Sequence, residues 1–365
     1  MVSIQTLNNQ ERIELHQEIG RGGEAKIYRT NKVGFLAKIY DNSISREKVN
    51  KLKVMLKSSP QNLSSDDRIA IAWPKDLLID SDNQCCGFIM PEIKKSLPII
   101  NAYNPRKRKE NFPKFTWYKL HQIALIFASI IQYLHAQKYV IGDLKPDNLL
   151  VNEQGFVSII DTDSFQVFDS DTGKTYLCPV TSGEYTAPED LGEVVQNVAR
   201  SELQDRFALT VIIWLLLFAY HPFSGQWIGE GNPPNINKLI QEGNWIYGIN
   251  SQLRPGKLSM PLEILHFQLQ QCFYQCFDDG HNNPNNRPSA EDWVKALDEA
   301  IKNLGLCSTE AAHYYAKSYG KCYWCERKQK IGSDIFVPQG SPAILWLIKV
   351  GWFKRENFKR KDVKI

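Results

Sequence analysis

Gly142-Asp143-Leu144-Lys145-Pro146-Asp147-Asn148-Leu149-Leu150-Val151, followed by Ile159-Ile160-Asp161-Thr162-Asp163, carries most of the information in this 365-residue chain. Asp143 and Asn148 stand in D-x-x-x-x-N spacing, and Asp161 follows Asp143 by 18 residues. That spacing sets a carboxylate beside a hydroxyl nucleophile and an amide oxygen on a metal. Asp161, ending an apolar strand, is placed to hold a Mg²⁺ ion that bridges nucleotide phosphates. Plain turn chemistry is the alternative, since Asp, Asn and Pro are ordinary loop formers. The flanking apolar strands and the spacing favour the chemical reading.

Upstream, Gly20-Arg21-Gly22-Gly23 separates β-type runs at Ile13–Ile19 and Lys26–Tyr28, and a third run at Phe35–Tyr40 holds a single lysine, Lys38. A glycine cluster either makes a tight turn or lets backbone amides approach phosphates closely. A lysine in an apolar strand is either a snorkelling edge residue or a ligand for those phosphates. Residues 44–57 change to helical spacing, with Ile44, Val49, Leu52 and Leu56 on one face, and 77–93 return to short strands. Beyond that the texture is helical: 117–137, an all-apolar 207–218, 261–277 and 290–304. A sheet-rich beginning followed by a helix-rich body predicts a two-lobed α+β layout. With 43% hydrophobic and 23% charged residues, the chain can bury a large core, which excludes disordered, collagen-like and coiled-coil classes.

These residues resemble the protein kinase family over about 13–304. The resemblance implies a bilobal fold, an antiparallel-sheet N-lobe on a helical C-lobe, and the following roles. Gly20 and Gly22 are the first two loop glycines, with Ala25 where the third usually stands. Lys38 is the phosphate-binding lysine and Glu47 its partner on the following helix. Met90 is the gatekeeper, Pro91 offers a hinge carbonyl to the adenine amine, and Ile93 supplies the hinge amide. Asp143 is the catalytic carboxylate, assisted by Lys145, with Asn148 and Asp161 on Mg²⁺. Thr186-Ala187-Pro188-Glu189 closes the activation loop, Asp205 opens the central helix, and Arg287 is the buried partner of Glu189. ATP and Mg²⁺ are the implied cofactors. Lys145, two residues after Asp143, accompanies Ser/Thr rather than Tyr specificity in this family.

The departures fall beside the reacting residues, not on them. Ile141 and Gly142 replace the usual histidine and arginine before the catalytic aspartate. Thr162 and Asp163 replace the usual phenylalanine and glycine after the metal-binding one. Because the arginine normally pairs with a phosphorylated activation loop, its absence predicts a loop ordered without phosphate. Alternatively, Gly142 serves only a tight turn and another cation replaces the arginine.

A second constellation lies near the end: Cys307, His313, Cys322 and Cys325 form C-x₅-H-x₈-C-x₂-C. Four Zn²⁺-type ligands at this range predict a closed structural zinc knuckle, against the alternative of buried free cysteines and a surface histidine. A kinase-like domain followed by such a knuckle resembles a bacterial branch of atypical kinases. The expected division is a kinase-like domain at 1–304 (N-lobe about 10–93, C-lobe about 94–304), the Cys/His segment at 305–337, and a basic aromatic tail at 338–365.

Net charge is +4, and the seven basic against two acidic residues of 349–365 carry more than all of it. That tail, with Trp346, Trp352 and Phe353, is either a solvated terminus or a weak contact for nucleic acid or an anionic surface. Arg106-Lys107-Arg108-Lys109 is a second basic run, read as an acidic-substrate contact or an exposed loop. Residues 1–19 are polar, and no apolar stretch is long enough to span a bilayer as a helix, so a cytoplasmic protein is expected. The combined expectation is an ATP- and Mg²⁺-dependent kinase acting on Ser/Thr hydroxyls of a protein substrate whose identity is open. The rivals are a nucleotide-binding scaffold without turnover and a nucleic-acid-associated regulator.

Overall fold

The computed structural model describes residues 4–60, 68–194 and 197–338. The basic tail from 339 onward, including Trp346, Trp352 and Phe353, lies outside the described residues. A seven-stranded antiparallel sheet forms the first lobe: β1 (Ile4–Thr6), β2 (Arg12–Ile13), β3 (Leu15–Arg21), β4 (Ala25–Thr30), β5 (Phe35–Tyr40), β6 (Asp76–Ile79) and β7 (Cys85–Pro91). Their order is β2-β1-β6-β7-β5-β4-β3. The sheet therefore begins before residue 10, because Ile4 and Thr6 are buried on pairing with β2 and β6. One face closes over Ile4, Ile13, Ala37, Leu78 and Ile89. The other carries α1 (Arg46–Lys57), capped by Ser45 and buried through Leu52, Val54 and Met55.

The second lobe is helical, with short hairpins on its cleft-facing side. These are β8 (Ser96–Pro98), β9 (Leu149–Asn152) and β10 (Val157–Ile159) in one sheet, and the pair β11 (Val167–Asp169) and β12 (Lys174–Tyr176). A minor pair, β13 (Gln226–Trp227) and β14 (Leu253–Arg254), lies farther out. The helices are α2 (Ile100–Tyr103), α3 (Pro105–Asn111), α4 (Trp117–Ala136), α5 (Glu202–Phe218), α6 (Ile236–Gln241), α7 (Phe267–Tyr274), α8 (Gly280–Asn282) and α9 (Ala290–Lys302). Helix α5 starts in a Ser201/Gln204 capping box and is buried all round from Phe207 to Phe218, as its uninterrupted apolar run requires.

The Cys/His segment folds as the hairpin β15 (Leu304–Leu306) and β16 (Tyr314–Ala316), then α10 (Tyr323–Ile331). It is not an island: Trp324 and Phe336 belong to the main core, and Trp324 meets Trp117 of α4 edge-on at 5.0 Å. Arg108 explains part of this docking. It is 2% exposed, donates to the carbonyls of Ala102 and Ile335, and stacks over Phe336. The 106–109 run is thus a helix with one buried structural arginine, not an exposed basic loop.

Candidate active site

Alternation along β5 turns Lys38 toward the cleft between the lobes, where it is 7% exposed. Its Nζ donates to Asp161 Oδ1 and Asp163 Oδ1, both at 2.6 Å. Burial alone would drive the ammonium to give up its proton, but the Asp163 and Asp161 carboxylates outweigh this and hold it above the ordinary lysine value. Asp163 is 4% exposed and accepts a second bond from the Tyr40 hydroxyl at 2.7 Å. Burial works against its charge too, yet Lys38 and Tyr40 hold its carboxyl below the usual range.

Asp161 ends the strand in the left-handed region, with φ 60° and ψ 37°, and its side chain stays 42% exposed to the cleft. A non-glycine residue there stores of order 1 kcal/mol of strain, held by the surrounding turn. Ser164 Oγ donates to the Asp161 carbonyl at 2.7 Å, and Thr162 Oγ1 to the Ala72 carbonyl at 2.9 Å.

Asp143, 4% exposed, meets Lys145 Nζ at 2.7 Å, and Lys145 also donates to Ser182 Oγ at 3.0 Å. Asn148 Nδ2 donates to the Asp143 carbonyl at 3.2 Å, so its Oδ1 is the atom left for a cation. Asn148 O receives the Ile160 amide at 2.9 Å, tying this loop to the strand that ends in Asp161. Asp205, at the start of α5, accepts the amides of Ile141 at 2.8 Å and Gly142 at 2.9 Å.

The glycines of the β3–β4 tip fit a phosphate group. A Cβ placed at Gly20 or Gly22 would come no closer than 3.7 Å to any neighbour, and at Gly23 it would meet nothing within 4 Å. The chain's own packing does not demand glycine there, which leaves the freedom for close approach of a ligand. In the same sheet, Met90 is 8% exposed opposite Leu36, Pro91 pairs with Phe35, and half-buried Ile93 follows the strand end.

Glu47 is not the partner of Lys38. It lies in the exposed first turn of α1 and pairs with Lys174 of β12 at 2.7 Å. Glu47, Lys48 and buried Lys51 all line a cavity of about 430 Å³ with Asp161 and Asp163, but Glu47 is taken by Lys174 and Lys48 by Glu24. Burial lowers Lys51 to about 8 despite nearby acids.

The activation segment is tied down throughout. Its β11–β12 hairpin meets α1 through Lys57–Asp171 at 3.1 Å and the Glu47–Lys174 pair. Arg200, 5% exposed, donates to the carbonyls of Gly142 at 2.5 Å and Val180 at 3.0 Å. Gly142 has φ +76°, and a Cβ there would lie 2.7 Å from Cys178 Cβ. The turn at Gly142 therefore needs glycine, and Arg200 fastens the loop through backbone carbonyls. Arg287 grips Glu189 with two bonds of 2.7 Å.

The ligand atoms of Cys307, His313, Cys322 and Cys325 all lie within 4.8 Å of one another. Cys307 Sγ is 3.6 Å from Cys325 Sγ, and His313 Nδ1 is 3.4 Å from Cys325 Sγ and 3.7 Å from Cys322 Sγ. Tetrahedral Zn–S bonds of about 2.3 Å imply ligand–ligand edges near 3.7 Å, so the donor set and its spacing fit Zn²⁺. Burial pushes the Cys307 thiol up, but bonds from the Thr309 hydroxyl and amide bring it down to about 6. Burial and neighbouring thiols hold Cys322 at about 12. Asp334 accepts His313 Nε2 at 3.0 Å and so directs Nδ1 at the thiols. Asp334 and Arg200 were not singled out from the sequence, and Asp163 was noted there only as a departure two residues after Asp161.

Among the described residues no helix is long and apolar enough to cross a membrane. Residues 91–296 match the protein kinase domain family. The chain is 30% identical to protein kinase YegI of Escherichia coli strain K12 over 338 residues, covering 90% of this chain and 51% of that protein. It is 26% identical to serine/threonine-protein kinase GRIK1 of Arabidopsis thaliana over 205 residues, 56% of this chain and 42% of that one. The maternal embryonic leucine zipper kinase of Xenopus laevis is 26% identical over 259 residues, 69% of this chain and 36% of that one. The chain spans about half the length of the YegI proteins it matches. With the family match covering more than half its residues and a 30% identical relative matched over 90% of its length, this chain belongs to the protein kinase family.

Proposed function

We propose that this chain is an ATP- and Mg²⁺-dependent kinase that phosphorylates serine or threonine hydroxyls of proteins. The observation that carries the reading is the convergence of Lys38, Asp143, Asn148 and Asp161 on one cleft below a glycine tip that packing leaves open. Asp143 accepts the proton of the attacking hydroxyl. Lys145, shared between Asp143 and Ser182, holds that carboxylate in place and offsets charge on the transferred group. Lys38 and the Gly20–Gly22 backbone cradle the phosphates, while Met90, Pro91 and Ile93 border the adenine. Asp161 and the Asn148 oxygen would hold Mg²⁺, which neutralises phosphate charge as the bond breaks.

Serine or threonine specificity is supported by Lys145 and by the similarity to the Arabidopsis serine/threonine-protein kinase. We further propose that Cys307, His313, Cys322 and Cys325 bind one structural Zn²⁺, and that 305–337 is a knuckle appended to a kinase domain. Eight unpaired cysteines support a reducing, cytoplasmic setting.

The test is transfer of radiolabelled γ-phosphate to a general protein acceptor, with and without Mg²⁺, beside Asp143→Ala. Label on phosphoserine or phosphothreonine, lost in the variant, is expected. Label confined to tyrosine would refute the specificity, and equal labelling by Asp143→Ala would refute the site.

A further inference from the structure

Lys38 has two acidic partners, and neither comes from the helix beside it. Asp161 is exposed to the cleft and is needed by a metal. Asp163 faces the other way: Oδ1 is held by Lys38 and Oδ2 by Tyr40, both within 2.7 Å, and the residue is 4% exposed. With both oxygens engaged and buried, Asp163 is not available as a second cation ligand. In kinases at large, a glutamate on the helix after the lysine strand orients that lysine, and moving the helix breaks the pair. Here the first-turn acid, Glu47, lines the cavity but is paired with Lys174, and the buried charged residue of α1 on that cavity is Lys51.

We propose that Asp163 is the positioning residue for Lys38, replacing the helix carboxylate, so that the nucleotide-binding lysine is anchored by the metal loop itself and not by α1. This rests on the phosphotransfer reading above for its consequence, though not for its geometry. Two residues of one turn then do what a helix and a loop otherwise share. Asp161 meets the metal while Asp163 fixes the lysine. Displacing α1 does not part Lys38 from its acid, which removes helix movement as a switch. Asp163 also keeps Asp161 from being the lysine's only counter-charge, and so leaves it able to turn to a cation. Lys51 completes the exchange of charges, since it lines the same cavity as Asp163 from the helix side.

The experiment compares the parent protein with Asp163→Asn, Glu47→Gln, Asp163→Gly and the double variant Asp163→Gly with Lys51→Glu, which moves the acid to the helix. The first readout uses nucleotide-free protein: the rate at which an amine-acylating reagent labels Lys38, followed by peptide mass spectrometry. Without its acid, the buried ammonium loses protons more readily, so Asp163→Asn is expected to label severalfold faster and Glu47→Gln at the parental rate. The second is kcat/KM for ATP, expected to fall roughly 100-fold in Asp163→Asn, the scale for a misplaced catalytic group. Glu47→Gln should match the parent, and the double variant should regain at least about tenfold over Asp163→Gly alone. Regain in the double variant separates lysine positioning from loss of fold. Parental labelling and turnover in Asp163→Asn, or equal losses in Glu47→Gln, would overturn the proposal. If the parent protein transfers no phosphate, the labelling experiment still decides the anchoring, and only the phosphotransfer reading falls.

Discussion

Gly142→Ala tests how the activation segment is fastened. The Gly142 amide donates to Asp205 and its carbonyl accepts from Arg200, so the peptide is pinned on both sides and cannot rotate out of its φ of +76°. An L-residue held there costs about 1–2 kcal/mol. The new methyl would also sit 2.7 Å from Cys178 Cβ, 2.9 Å from its Sγ and 3.0 Å from Arg200 Nη1. Relieving that overlap in a packed site costs about 1–3 kcal/mol more. The expected destabilisation is therefore about 2–5 kcal/mol, read from urea unfolding. Phosphotransfer should fall as well, because Arg200 and Cys178 both hold the segment at Val180. Cys178→Gly removes the two closest atoms, so combining it with Gly142→Ala should restore most of the overlap part while leaving the backbone strain. A loss under about 0.5 kcal/mol, or additive effects of the two substitutions, would refute the pinned-turn account.

Activity should not depend on phosphate in the activation segment: phosphatase-treated protein and Thr175→Ala are expected to keep steady-state rates within about twofold. Ser182 and Thr181 are unsuited to this test, since Ser182 accepts a bond from Lys145 and Thr181 pairs with the Thr186 hydroxyl. Lys51→Met should raise stability by roughly 3 kcal/mol near neutral pH, because burial lowers this lysine to about 8 from 10.5. Between those values the unfolded chain binds more protons, so the parent gains stability as pH rises, and the advantage of Lys51→Met should vanish by about pH 10.5. A pH-independent difference in denaturation midpoints would contradict it. Elemental analysis should find one zinc per chain, lost in Cys322→Ser or Cys325→Ser, and Asp334→Asn should weaken zinc in chelator competition by about 10–100-fold. Metal-free protein from a chelator-free purification would remove the site. Because Trp324 and Phe336 sit in the main core, losing the metal should also lower the thermal midpoint of the kinase domain.

Local chemistry made the two lobes and the central constellations legible. Asp143 and Asn148 share one loop, Asp161 follows the strand that pairs back with the one leaving that loop, and strand alternation turns Lys38 inward. The four knuckle ligands lie within 19 residues, so chain proximity is enough to suggest their meeting. What failed was the partner of Lys38. Glu47 has the right chemistry, but which face of α1 looks inward depends on how that helix docks against the sheet and the β11–β12 hairpin. Docking put Lys51 inside and Glu47 on Lys174. Arg200 reaches Gly142 across 58 residues, Asp334 reaches His313 across 21, and Arg287 reaches Glu189 across 98. Only the last was suggested beforehand, through family resemblance. Spacing within a turn or strand is set by backbone geometry and is written in the sequence. Pairing between distant side chains is set by which apolar faces bury against each other, and that is decided only when the chain has folded.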